Sequence, residues 1–125
     1  SINLLPVEIH AGGKVTAFGR DLGVEASGRD AGPATLGLRA EDLRPGAEGF
    51  AVRVTRSETH GADRFVNCRL LSDETVAITL RQAAGEVLGA DENGVMNLGF
   101  APERVHLFAA DGLRRKTTVR EMVPA

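Results

Sequence analysis

Apolar residues in this chain recur every second position, in short runs separated by glycine and proline. Phe50, Val52 and Val54 fall on one side of an extended segment, with Arg53 and Thr55 on the other. Val66, Cys68 and Leu70 alternate with Asn67 and Arg69, and Val76, Ile78 and Leu80 follow with Thr79 and Arg81 opposite. Because successive side chains of a strand point to opposite faces, this period builds half-buried β-strands and cannot build an amphipathic helix. The spacing predicts a three-strand meander with one buried face, turning at Gly61-Ala62-Asp63 and at Ser72-Asp73.

The same period continues outside the meander. Strands are expected at 5–10, 14–18, 22–25, 35–39, 96–100 and 105–108, with Ala11-Gly12-Gly13 as a turn and 27–33 as a loop. A helical turn is expected at 40–43, stopped by Pro45-Gly46, and another short one within 82–93, which Gly85 and Gly89 weaken. Many short strands at close spacing predict an all-β fold, an oligonucleotide-binding (OB)-fold-like small barrel with extra strands from the two terminal segments. The first thirty residues are expected to pair with the later sheet, because an isolated strand pair is marginal in water. We read residues 1–125 as a single domain, with 112–125 as a partly flexible tail.

Composition sets limits on function. The 125 residues are 42% hydrophobic and 26% charged, enough for one modest core. The net charge of -2 and an aromatic set of five Phe, without Trp or Tyr, disfavour a nucleic-acid surface, which needs basic charge and stacking platforms. One cysteine, Cys68, cannot form an internal disulfide, and its place between Val66 and Leu70 predicts a buried small hydrophobe. No apolar run is long enough to cross a bilayer as a helix. The first residue is not Met, and the abrupt start reads as an excised piece of a longer protein.

Candidate chemistry was weighed residue by residue. His10, His60 and His106 are far apart, with no spacing that puts two on one face, so no metal site is expected. Glu41-Asp42 and Glu103-Arg104 are read as turn residues, and Arg114-Arg115-Lys116 as a solvated run. Gly12-Gly13-Lys14-Val15 is the nearest approach to a phosphate-binding loop, but Glu8 stands where the first glycine belongs and Val15 lacks the metal-binding hydroxyl. Thr55, Ser57 and Thr59 alternate along one strand and offer hydroxyls that an oxyanion could recruit. No catalytic, cofactor-binding or metal-ligating residue is assigned.

The segment Asn97-Leu98-Gly99-Phe100-Ala101-Pro102-Glu103-Arg104-Val105-His106-Leu107-Phe108 resembles the last strand pair of the TOBE domain. That domain forms the C-terminal part of sugar-type (maltose and glycerol-phosphate class) ABC transporter ATP-binding subunits. Ile2-Asn3-Leu4-Leu5-Pro6 is similar to the segment that enters that domain. Leu36-Gly37-Leu38-Arg39-Ala40-Glu41-Asp42-Leu43 is similar to its Gly-Ile-Arg-Pro-Glu-Asp signature, with Ala40 where Pro is usual. A third match is the central meander, with Glu58 and His60-Gly61 near its turn. The resemblance implies a regulatory and dimerising domain of a bacterial importer, located in the cytoplasm at the inner membrane. Its implied partners are a second copy, the membrane subunits through a missing domain, and a possible regulatory protein. ATP and Mg²⁺ would belong to the missing nucleotide-binding domain, so this piece would not be an enzyme itself. The alternative is a barrel that binds a molybdate-type oxyanion.

Overall fold

The computed structural model describes residues 2–28 and 31–119. Eleven strands occupy most of them: β1 (Ile2–Ile9), β2 (Lys14–Ala17), β3 (Arg20–Ala26), β4 (Gly32–Arg39), β5 (Leu43–His60), β6 (Asp63–Leu70), β7 (Ala77–Ala83), β8 (Val95–Phe100), β9 (His106–Ala109), β10 (Arg114–Arg115) and β11 (Thr117–Val119). Two 3-10 turns, Ala40–Asp42 and Pro102–Arg104, are the helical elements among the described residues. The all-β, OB-like class expected from the alternation is the class of this fold. Where one domain was expected over 1–125, the residues group into two compact units. The first holds the residues up to Asn3 together with Arg39–Ala101, and the second holds Leu4–Leu38 with the residues from Pro102 onward.

The first unit is built on a four-stranded antiparallel sheet in the order β7-β6-β5-β8. Register places Val52 opposite both Leu70 and Met96, and Cys68 opposite both Val54 and Ile78. Val52, Val66 and Leu80 are fully buried, so one face of this sheet is core, as the alternation required. Each buried branched side chain contributes roughly 1.5–3 kcal/mol relative to exposure.

Two irregularities in β5 were not foreseen. Pro45 and Phe50 both pair with Leu98, so the residues between them loop out of the ladder. The strand resumes at Leu43, directly after the 3-10 turn, rather than beginning after Pro45-Gly46. Gly49 carries the chain back: a Cβ there would lie 1.9 Å from the Leu98 carbonyl oxygen, which is backbone and cannot yield cheaply. The second irregularity is a β-bulge, because Val54 opposes Cys68 while Arg56 opposes Asn67, leaving Thr55 unpaired.

The second unit is built on a seven-stranded sheet in the order β10-β9-β4-β1-β2-β3-β11. β1, β2 and β3 therefore share a sheet with β4 and with the C-terminal strands β9, β10 and β11 rather than with the central meander. Phe18-Gly19 makes the two-residue turn between β2 and β3, with positive φ at both positions (51° and 77°). This backbone matches the twist of the flanking strands. Leu5, Val15, Val24, Leu36 and Leu107 are fully buried in this unit.

Beyond the turn at Asp111, two short strands, β10 and β11, occupy part of the stretch that the sequence reading placed as a tail. β10 pairs with β9, and β11 pairs with β3 from Ala26 to Val24. The remainder of the expected flexible stretch, 120–125, lies outside the described residues. Within 82–93 the expected helical turn is replaced by a plain turn at 84–86.

Gly49→Ala is expected to cost about 1–3 kcal/mol, the usual penalty for overpacking a closed space. A lower thermal midpoint in calorimetry checks this. An unchanged midpoint would mean that the β5 detour can move away from β8.

Candidate functional site

The outer face of the first unit's sheet carries the densest set of polar groups. Arg56, Glu58 and His60 leave β5 on this side because the bulge at Thr55 shifts the alternation by one residue. Glu58 lies opposite Phe65, and Phe65 lies opposite Arg81. Arg56 Nη2 reaches Glu58 Oε1 at 2.5 Å, and His60 Nε2 reaches Glu58 Oε2 at 3.1 Å. The His60 contact, then the Arg56 charge, holds the Glu58 carboxyl below the usual carboxylate range. The Arg81 guanidinium sits 5.7 Å from the Phe65 ring centre and donates to Asp63 at 2.9 Å. His60 meets the same ring edge-on at 5.8 Å. These are solvent-exposed pairs, which water and salt screen.

The bulge corrects the hydroxyl reading. Thr55 shares the outer face with Asn67, whose carbonyl accepts its hydroxyl at 3.1 Å. Ser57 opposes Val66 and Thr59 opposes Arg64, so both belong to the other face. Three hydroxyls in one row would suit an oxyanion; here the row is divided.

A cleft of about 330 Å³ opens in the first unit, lined by Pro45, Gly46, Val87, Leu88, Val95 and Asn97 among others. Its strap follows β7. The Glu86 carbonyl accepts from Gln82 Nε2 at 3.2 Å and also from Arg64 Nη2. Gln82 Oε1 and Arg64 Nε stay buried without a partner among the described residues. Such orphans typically cost about 1–3 kcal/mol each, so the strap is held at a local expense. The cleft is lined by backbone and polar groups as well as by apolar side chains, and the residues lining it include no carboxylate or imidazole.

The remaining candidates sit in structural roles. His10 Nε2 bonds Thr16 Oγ1 at 2.6 Å, His60 closes the β5–β6 hairpin, and His106 lies on β9 opposite Gly37. Among the described residues no three His, Cys, Asp or Glu side chains gather as a metal site would require. Gly12-Gly13-Lys14 turns β1 into β2. Gly13 accepts from Ala26 N–H at 2.7 Å, and Val15 is fully buried, which does not fit a loop wrapped around phosphate. Glu41 and Asp42 occupy the 3-10 turn. A backbone N–H lowers the Glu41 pKa, and Arg44 braces the turn by donating to the Glu41 carbonyl at 2.7 Å. Glu103-Arg104 are exposed in the second 3-10 turn. Arg114-Arg115 form β10, where Arg115 pairs with Asp111 at 3.0 Å, and the Lys116 carbonyl accepts from Ser27 N–H at 2.8 Å.

Cys68 is buried, and burial pushes its thiol from near 9.0 up to about 11. A thiol with that pKa is inert at neutral pH, as expected of a core hydrophobe.

With this geometry in view, the comparisons are specific. The TOBE domain family matches residues 36–108. The chain is 34% identical over 127 aligned positions to the sn-glycerol-3-phosphate import ATP-binding protein UgpC of Chromohalobacter salexigens, covering 97% of this chain and 34% of that protein. It is also 34% identical over 117 positions to the protein of the same name from Jannaschia sp., covering 91% of this chain and 31% of that one. The chain thus spans about a third of the length of these relatives. It belongs to the TOBE domain family. No helix among the described residues is long and apolar enough to cross a membrane.

Cys68 yields a prediction with a definite sign. Its folded-state pKa lies above the unfolded one, so the unfolded chain loses this proton first. Native stability should therefore hold below pH 9 and fall as the pH climbs toward 11. The chain has no Tyr to obscure this window. Urea melts across that range should show the alkaline loss, and Cys68→Val should flatten it; an equal loss in both would reject the assignment.

Proposed function

We propose that this chain is the C-terminal regulatory and dimerising domain of the ATP-binding subunit of a bacterial ABC importer for carbohydrates or related solutes, with sn-glycerol-3-phosphate as the first candidate. The observation that carries the reading is the pair of import ATP-binding proteins matched across nearly the whole chain. The site agrees in kind: charged and apolar surfaces suited to contact, and a glycine turn unsuited to phosphate. The two compact units act as one module, and no catalytic, cofactor-binding or metal-ligating residue is assigned to it. ATP and Mg²⁺ belong to a nucleotide-binding domain elsewhere in the subunit, so this module does not hydrolyse ATP. Its partners are a second copy of the subunit, a regulatory protein, and, through the other domain, the membrane subunits. It works in the cytoplasm beside the inner membrane and binds no nucleic acid.

The physical logic is effective concentration. A standing contact between two such domains keeps two nucleotide-binding domains together between turnovers. A regulator bound here biases opening against closure only by its difference in affinity for the two states.

A chimera tests this directly. Residues 1–125 replace the matching third of the Chromohalobacter protein, and uptake of labelled sn-glycerol-3-phosphate is measured in cells lacking their own subunit. Uptake well above the empty-vector level is expected. A chimera that accumulates and hydrolyses ATP but supports no uptake would contradict the reading.

A further inference from the structure

β7 is the last strand on one side of the first unit's sheet, and such an edge presents unpaired backbone groups that attract other strands. In an antiparallel ladder alternate residues point both backbone groups away from the neighbour. The Val76 carbonyl accepts from Leu70 N–H at 3.0 Å, which places even-numbered residues toward β6 and Thr79 outward. At Thr79 both outward groups are already taken. Its N–H donates to Asn3 Oδ1 at 2.7 Å, and its carbonyl accepts from Asn3 Nδ2 at 2.9 Å. Asn3 is 8% exposed, so water is excluded from this exchange. On the inner side Thr79 Oγ1 meets Asn67 Oδ1 at 3.1 Å, fixing the same residue from the neighbouring strand.

A carboxamide is a peptide group in miniature, with one acceptor and one donor in a single plane. Asn3 therefore does for Thr79 what one residue of an added strand would do, across 76 positions of sequence. A Ser or Thr hydroxyl carries donor and acceptor on one atom and cannot span both groups of Thr79, and an ionised Asp lacks the donor. The 3-10 turn Ala40–Asp42 also lies against β7. We propose that Asn3 is an edge guard: its side chain substitutes for a neighbouring strand at Thr79 and denies that edge of the sheet to other chains.

The test uses the 125-residue chain. In the wild type the Asn3 carboxamide protons should exchange slowly by NMR, unlike those of exposed Asn97; equal rates would overturn the proposal. In Asn3→Ala the Thr79 amide should exchange roughly ten-fold faster, the effect of losing one net hydrogen bond. That variant should also sediment as larger species than the wild type at matched concentrations. Unchanged Thr79 exchange in Asn3→Ala, or no added association, would overturn the guard role. The wild-type carboxamide measurement decides the matter if Asn3→Ala fails to fold. None of these outcomes depends on membership of a transporter.

Discussion

The first unit depends on β5, which pairs with β8 from Leu43 to Arg53 and with β6 from Val52 to His60. Where the two ladders overlap, at Val52 and Arg53, the strand has a hydrogen-bonded neighbour on each side. Val52 illustrates this, facing Leu70 on one side and Met96 on the other with no exposed surface. Since burial is the main favourable term in folding, a strand of this kind sets where the core forms. The two departures from its regular ladder then decide what the surface can do. The detour between Pro45 and Phe50 opens one wall of the cleft, and the bulge at Thr55 turns Arg56, Glu58 and His60 outward.

The domain's polar outer face is paired within itself, its cleft mixes polar and apolar groups, and its cysteine is a buried thiol with a raised pKa. Its glycine turn is closed by backbone bonds from His10 and Ala26. His10, Cys68 and the Gly12-Gly13 turn each take a structural role in a TOBE domain that spans about a third of the length of its import ATP-binding relatives.

Much of the sheet was legible in the sequence because alternation is a direct imprint of a half-buried strand. Phe50–Val54, Val66–Leu70 and Ile78–Leu80 could be placed, with their buried face, from residue types alone. Bulges were not legible, since Thr55 looks like any polar strand residue until its partner Asn67 is known. That one residue moved Ser57 and Thr59 off the face on which they had been placed. β10 and β11 were missed for a different reason: Arg114-Arg115-Lys116-Thr117 has no apolar period, and its pairing with β9 and β3 comes from backbone groups. The Asn3–Thr79 contact joins residues too distant for any local pattern to reveal. Of the site, the turn at Gly12-Gly13 between β1 and β2 could be read from its glycine pair. The cleft could not, because its strap rests on the carbonyl of Glu86.

Native-state hydrogen exchange by NMR tests the central role of β5 most directly. If β5 organises the unit, the amides it exchanges with β6 and β8 around Val52 should open only with global unfolding, while those from Ala84 to Ala90 open early. Exchange of the β5 amides through a smaller opening than that of β7 would contradict the account.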